Sequence, residues 1–182
     1  MLILASQSPR RKELLAHLNM PFTIRVADID EAMDPAKPPA EEVARVSLAK
    51  ALAVPREERD VVIAADTIVV LDGRVLGKPA DKAEARAMLT ALSGKTHQVM
   101  TGVTVLQDNK SRTHTEITEV FFRPLSQKEI DRYVESEEPM DKAGAYGIQG
   151  GASLFVEKLH GDYYNVMGLP VCRLWQMLED FQ

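Results

Sequence analysis

Cysteine is nearly absent from this 182-residue chain, with Cys172 standing alone. One thiol excludes an internal disulfide and any cysteine-cluster metal site, and a reduced, cytoplasmic setting fits that usage. Long apolar runs are missing too, and no segment approaches the roughly 20 residues of a membrane span. No charged segment precedes Leu2-Ile3-Leu4 and no long apolar stretch follows it, so a secretory leader is not expected. Nor is there an excess of positive charge: 22 Lys and Arg face 27 Asp and Glu, a net charge of −5. That balance speaks against a general nucleic-acid binder but leaves room for a nucleotide site, where a few placed cations suffice. Neither a G-x-G-x-x-G fingerprint nor a Walker A loop occurs, and no repeat, low-complexity tract or linker divides the chain.

What is present begins at the N-terminus. Leu2-Ile3-Leu4 is a short apolar run that reads as a buried strand, followed by Ala5-Ser6-Gln7-Ser8-Pro9-Arg10-Arg11-Lys12 and the pair Leu14-Leu15. Pro9 suits the first helical position and Ser8 the N-cap before it. Two serine hydroxyls, three cations and the free N–H groups of a helix start would then converge, which is the make-up of an anion site for phosphate. Ser-Pro also serves simply to start a helix, and these residues alone leave both readings open.

Further along, the first helix is expected to stop near Asn19 and Phe22 to Val26 to form a strand. Asp28-Ile29-Asp30-Glu31 then clusters three carboxylates, either a solvated acidic turn or a hard-metal and water-activating site. Ala40 to Val54 has helical apolar spacing. Lys50 falls beside its apolar stripe, where spacing alone suggests a snorkelling lysine. Val61-Val62-Ile63-Ala64-Ala65 is the most core-like strand, and Asp66-Thr67 is expected to end it. A carboxylate there is costly unless it has a partner or a role. Asp72-Gly73 between apolar runs predicts a hairpin that returns Lys78 toward Asp66. Asp81 with Glu84 and Ser126 with Glu129 signal helix starts, closed by Gly94 and before Pro139. Strands are expected over Thr96 to Leu106, Thr113 to Phe122 and Ser153 to Leu159, a turn over Gly161 to Asn165, and a last helix to about Asp180. His97, without a second ligand nearby, reads as structural. The glycines of Asp141-Lys142-Ala143-Gly144-Ala145-Tyr146-Gly147-Ile148-Gln149-Gly150-Gly151 permit close backbone approach to a ligand, while their spacing alone reads by default as a plain irregular loop.

Taken together, these segments resemble the Maf family of nucleoside triphosphate pyrophosphatases. The likeness runs through Ser6-Gln7-Ser8-Pro9-Arg10-Arg11, Asp30-Glu31, Lys50-Ala51, Ala65-Asp66-Thr67, Gly77-Lys78-Pro79, Ser93-Gly94 with His97, Thr101-Gly102, Asp141-Lys142-Ala143-Gly144, and Asn165-Val166 with Gly168-Leu169-Pro170. It implies an α/β fold of two lobes, with an elongated, curved mixed sheet flanked by helices. That fold is similar to inosine triphosphate pyrophosphatases and has the active cleft between the lobes. Residues 1–182 are then a single catalytic domain.

The resemblance also implies chemistry. Asp66 is the expected proton acceptor, and Glu31 and Asp66 the expected ligands of a divalent cation, Mg²⁺ or Mn²⁺. Arg10, Arg11, Lys50 and Lys78 would neutralise the phosphates, with Ser6 and Ser8 beside them. Gly147-Ile148-Gln149-Gly150 resembles the branch acting on dTTP and UTP. The Gln149 amide offers a donor and an acceptor that match a pyrimidine dione edge, and Arg10 and Thr67 stand where the family sets substrate choice. The implied enzyme releases pyrophosphate from dTTP, UTP or modified pyrimidine triphosphates in the cytoplasm. It has no nucleic-acid or membrane partner, and a homodimer is expected from the family alone. Two alternatives stand beside it: a same-fold enzyme with a different base preference, purine or noncanonical, such as a modified purine, and a non-catalytic nucleotide-binding regulator of division, since the family is linked to septum inhibition.

Overall fold

A computed structural model describes residues 1–181. In chain order it contains β1 (Leu2–Leu4), α1 (Pro9–Ala16), β2 (Phe22–Ile24), α2 (Pro39–Ala53), β3 (Val61–Leu71) and β4 (Arg74–Leu76). Then come α3 (Lys82–Leu92), β5 (Thr96–Gln107), β6 (Lys110–Phe122), α4 (Gln127–Glu135), β7 (Val156–His160), α5 (Tyr163–Met167) and α6 (Val171–Leu178). The strands make one mixed sheet in the order β2-β1-β3-β5-β6-β7, with β4 paired to β3. This is the expected α/β class, a mixed sheet with helices. The described residues divide into two compact units, 1–67, 101–116 and 164–181 in the first, and 68–100 and 117–163 in the second.

In the first unit β1 runs parallel to both its neighbours, with Leu2 opposite Phe22 and Val61 and Leu4 opposite Ile24 and Ile63. Side chains on a strand alternate between faces, and this alternation assigns the helices. Val62, Ala64 and Leu106 turn to one face and pack with Ala51 and Val54 of α2 around Ile3 and Ala5. Gly102 shares that face. A Cβ there would lie 2.4 Å from the carbonyl oxygen of Val43, so only glycine lets α2 approach β5 this closely. Thr101, one residue earlier, turns to the opposite face and donates to the carbonyl of Asn165 in α5.

In the second unit α3 packs against α4, and Ala85, Leu89 and Leu92 of the one and Ile130 and Val134 of the other are buried. Ser126 and Glu129 close a reciprocal capping box on α4. Beside them His97, Tyr146 and Phe155 each meet Phe122 edge to face and Tyr133 meets Phe155, with ring centroids 4.9 to 6.0 Å apart.

Several expected boundaries move. β3 does not end at Asp66-Thr67 but continues to Leu71. The carboxylate is tolerated inside the strand because it is ion-paired, and Ile68-Val69-Val70 extends the strand into its pairing with β4. α1 stops at Ala16, and Asn19 takes a left-handed φ of 53°. β2 ends at Ile24, where its partner β1 runs out. Residues 151–154 form a short 3₁₀ turn instead of opening a strand, because Gly151 N–H is drawn to the Glu138 carboxylate. The expected turn at Tyr163-Tyr164-Asn165 is the short helix α5, closed by Gly168 at φ 116°.

Candidate active site

α1 starts as its sequence suggests. Pro9 occupies the first turn and Ser8 Oγ accepts from the Arg11 backbone N–H at 3.4 Å. Capping is therefore realised at the start of the helix that carries Arg11. The guanidinium donates through Nε to the Gly168 carbonyl at 2.9 Å, through Nη1 to Ser6 Oγ at 3.3 Å and through Nη2 to Thr67 Oγ1 at 3.0 Å. A guanidinium carries five N–H donors, so two remain for a ligand after these contacts. Enclosure by protein lowers the Arg11 pKa, and the charges of Asp66 and Glu31 work against that loss while Arg10 adds to it.

A second cluster adjoins the first through consecutive residues of β3. Asp66, 8% exposed, points to the α2 face, and Thr67 to the opposite one. Lys50 stands on the inward stripe of α2, and its ammonium does not snorkel to water. Its Nζ lies 2.8 Å from Asp66 Oδ1 and 3.0 Å from Glu31 Oε1. Burying Asp66 alone would cost several kcal/mol, which this ion pair offsets. The acidic stretch divides accordingly. Asp30 makes a local turn by accepting from Ala32 N–H, while Glu31 reaches Lys50.

Two carboxylates that converge on one cationic atom are a fitting donor set for Mg²⁺ or Mn²⁺. Magnesium is commonly held by one or two carboxylates, with phosphate oxygens and water supplying the rest. Among the described residues no cluster of three or more His, Cys, Asp or Glu could hold a metal without such help.

Ser6, Ser8, Arg11, Thr67, Lys50, Asp66 and Glu31 are thus brought together within the first unit. Arg10 is half-buried on the first turn of α1. Lys78 and Gln149 belong to the second unit, and both are exposed. There the loop carrying Gln149 is shaped by two residues that spacing did not single out. Tyr133 OH donates to Glu138 Oε1 at 2.9 Å and accepts from Gly147 N–H at 3.2 Å, while Glu138 Oε2 accepts from Gly151 N–H at 3.0 Å. A Cβ on Gly150 would sit 2.1 Å from Glu138 Oε1, so the chain wraps directly on the carboxylate. His97 is structural as expected. Its Nε2 lies 2.6 Å from Tyr146 OH, and burial pushes its pKa down to about 4. The first-unit contacts of Thr101 and the Gly168 carbonyl also escaped sequence reasoning. Both lie in segments that carry the family likeness, which marks the positions without giving their partners.

The family model described as "Maf-like protein" matches residues 1–181. Among curated proteins, the chain is 54% identical over 181 residues to a dTTP/UTP pyrophosphatase of Symbiobacterium thermophilum, covering 99% of this chain and 93% of that one. It is 53% identical to a dTTP/UTP pyrophosphatase of Bacillus pumilus, covering 99% of this chain and 96% of that one. Among solved structures, a HAM1 protein from Coxiella burnetii aligns with 98% of each chain at 15% identity and a TM-score of 0.45. Among the described residues no helix is long and apolar enough to cross a membrane.

Proposed function

Because the chain belongs to the Maf family, we propose that it is a nucleoside triphosphate pyrophosphatase that takes dTTP and UTP to the monophosphate and pyrophosphate. The observation that carries this reading is the meeting, on adjacent residues of β3, of an anchored guanidinium and an ion-paired carboxylate. The names of the curated relatives support the substrate pair.

In this reading the β- and γ-phosphates lie against the two remaining donors of Arg11 and the start of α1, where the helix dipole favours anions. Arg10, Lys50 and Lys78 add positive charge for the departing pyrophosphate. Asp66 accepts a proton from the water that attacks the α-phosphorus. A new P–O bond forms there, the bond to the bridging oxygen breaks, and that oxygen leaves with pyrophosphate. Glu31 and Asp66 would hold a divalent cation, which supplies further charge neutralisation at the triphosphate. Ser6 and Ser8 line the phosphates, Thr67 and Arg10 bear on substrate choice, and Gln149 reads the base. The proposal takes residues 1–182 as one catalytic domain of a cytoplasmic enzyme, homodimeric on family grounds alone, and without a nucleic-acid or membrane partner.

The test is pyrophosphate release over dTTP, UTP, CTP, GTP and ATP, with and without Mg²⁺. Preference for dTTP and UTP supports the reading. A purine preference would replace the substrate, and nucleotide binding without turnover would replace the enzyme with a regulator.

A further inference from the structure

Thr101 is fully buried in β5, on the face where Val103 and Val105 of the same strand are also buried, and a third valine would be the simplest occupant. Its hydroxyl has two polar partners instead. It donates to the Asn165 carbonyl at 3.1 Å and lies 2.9 Å from Thr67 Oγ1. A threonine hydroxyl has one hydrogen. Since that of Thr101 goes to a carbonyl, which can only accept, the Thr67–Thr101 contact uses the hydrogen of Thr67. The lone pairs of Thr67 Oγ1 are then turned to Arg11 Nη2, 3.0 Å away, which can only donate. The opposite order would strand the Asn165 contact and send the Thr67 hydrogen to the Gly168 carbonyl at 3.5 Å, a longer contact than the 2.9 Å to Thr101 Oγ1. Every donor in the run Arg11, Thr67, Thr101, Asn165 therefore points one way.

We propose that Thr101 is a positioning residue for the reaction: through Thr67 it fixes the guanidinium of Arg11 in the orientation that holds the triphosphate. The inference rests on the phosphate-binding role of Arg11 given above and adds to it a buried residue that touches no substrate. Without Thr101, the Thr67 hydroxyl rotates to its remaining acceptor, and one of the three anchors of Arg11 loses its direction. The fold can survive Thr101→Val, because valine keeps the size and β-branched shape of threonine and Val103 and Val105 are already buried on the same face.

The experiment is a double-mutant cycle on kcat/KM for dTTP with Thr101→Val and Arg11→Ala, and Thr101→Ser as the conservative control. Thr101→Val should lose about tenfold, the scale of one hydrogen bond to a charged group, and Thr101→Ser should recover nearly all of it. In the Arg11→Ala background Thr101→Val should cost nothing further, which a purely structural role would not produce. Equal losses in both backgrounds, or no loss in the wild-type background, would overturn the inference and leave the role of Arg11 standing. If Arg11→Ala itself keeps full kcat/KM, the phosphate reading falls and takes this inference with it. Neutron diffraction of the unmodified protein gives a check that needs no variant. The deuteron of Thr67 should lie toward Thr101 Oγ1 and that of Thr101 toward the Asn165 carbonyl, and a Thr101 deuteron aimed at Thr67 would contradict the proposal.

Discussion

Lys50 Nζ and Asp66 Oδ1 are 2.8 Å apart, with the two side chains 15% and 11% exposed. Removing the lysine leaves a buried carboxylate without its counter-charge, so Lys50→Met should lower stability by about 3 kcal/mol. Adding Asp66→Asn should restore much of that, since an amide needs no counter-ion. Denaturant unfolding of the two single variants and the double variant measures the coupling. Additive losses would mean that the pair contributes little.

Asp66→Asn alone should leave the fold and dTTP binding nearly intact while cutting turnover at least roughly 10²-fold, the typical contribution of a positioned base. Single-turnover rates with parallel binding titrations separate the two effects. A folded variant with wild-type rates would remove Asp66 from the chemistry.

His97 sets a pH dependence that is independent of the site. Its pKa is about 4 in the folded protein against an ordinary 6.5, so between those values only the unfolded chain takes up the proton. Stability from this residue is complete above pH 6.5 and declines as pH falls toward 4, by about 2 kcal/mol between pH 7 and pH 5. The carboxylates held low by arginine partners, Glu42 and Glu129, are at about 2 and still ionised in that window. Thermal melts of the wild type and His97→Gln across pH 5 to 7 should show a slope in the former that is largely lost in the latter.

Gln149→Ala should weaken dTTP and UTP hydrolysis and narrow their advantage over CTP by on the order of 1–3 kcal/mol. An amide oriented for the N3–H and O4 of thymine cannot serve cytosine without flipping. Slow turnover at saturating dTTP should survive, because the phosphate-binding groups are untouched. Unchanged kcat/KM ratios among dTTP, UTP, CTP and GTP would assign base selection to another part of the loop.

Much of this was legible beforehand, for reasons particular to each residue. Pro9 and Ser8 announce α1 because capping is local chemistry, and Asp72-Gly73 announces its hairpin for the same reason. Asp66 attracted notice because a carboxylate in an apolar strand needs a partner, but its partner could not be read from spacing. Lys50 lies 16 positions earlier in the sequence, on a helix whose placement depends on the missing Cβ of Gly102. The links of Arg11 to Thr67 and Gly168 span 56 and 157 positions, and only the folded sheet brings them together. Glu138 carries no such signal, since Asp141 lies nearer to the glycine-rich loop in the sequence. Its grip on Gly151 is a tertiary fact that no local pattern encodes.

The most direct measurement is hydrolysis of dTTP by the wild-type protein in water enriched in heavy oxygen, with both products analysed by mass spectrometry. Water attacking the α-phosphorus with pyrophosphate departing predicts dTMP carrying one heavy oxygen and pyrophosphate carrying none. Heavy oxygen in the pyrophosphate, release of dTDP with inorganic phosphate, or no turnover at all would contradict it.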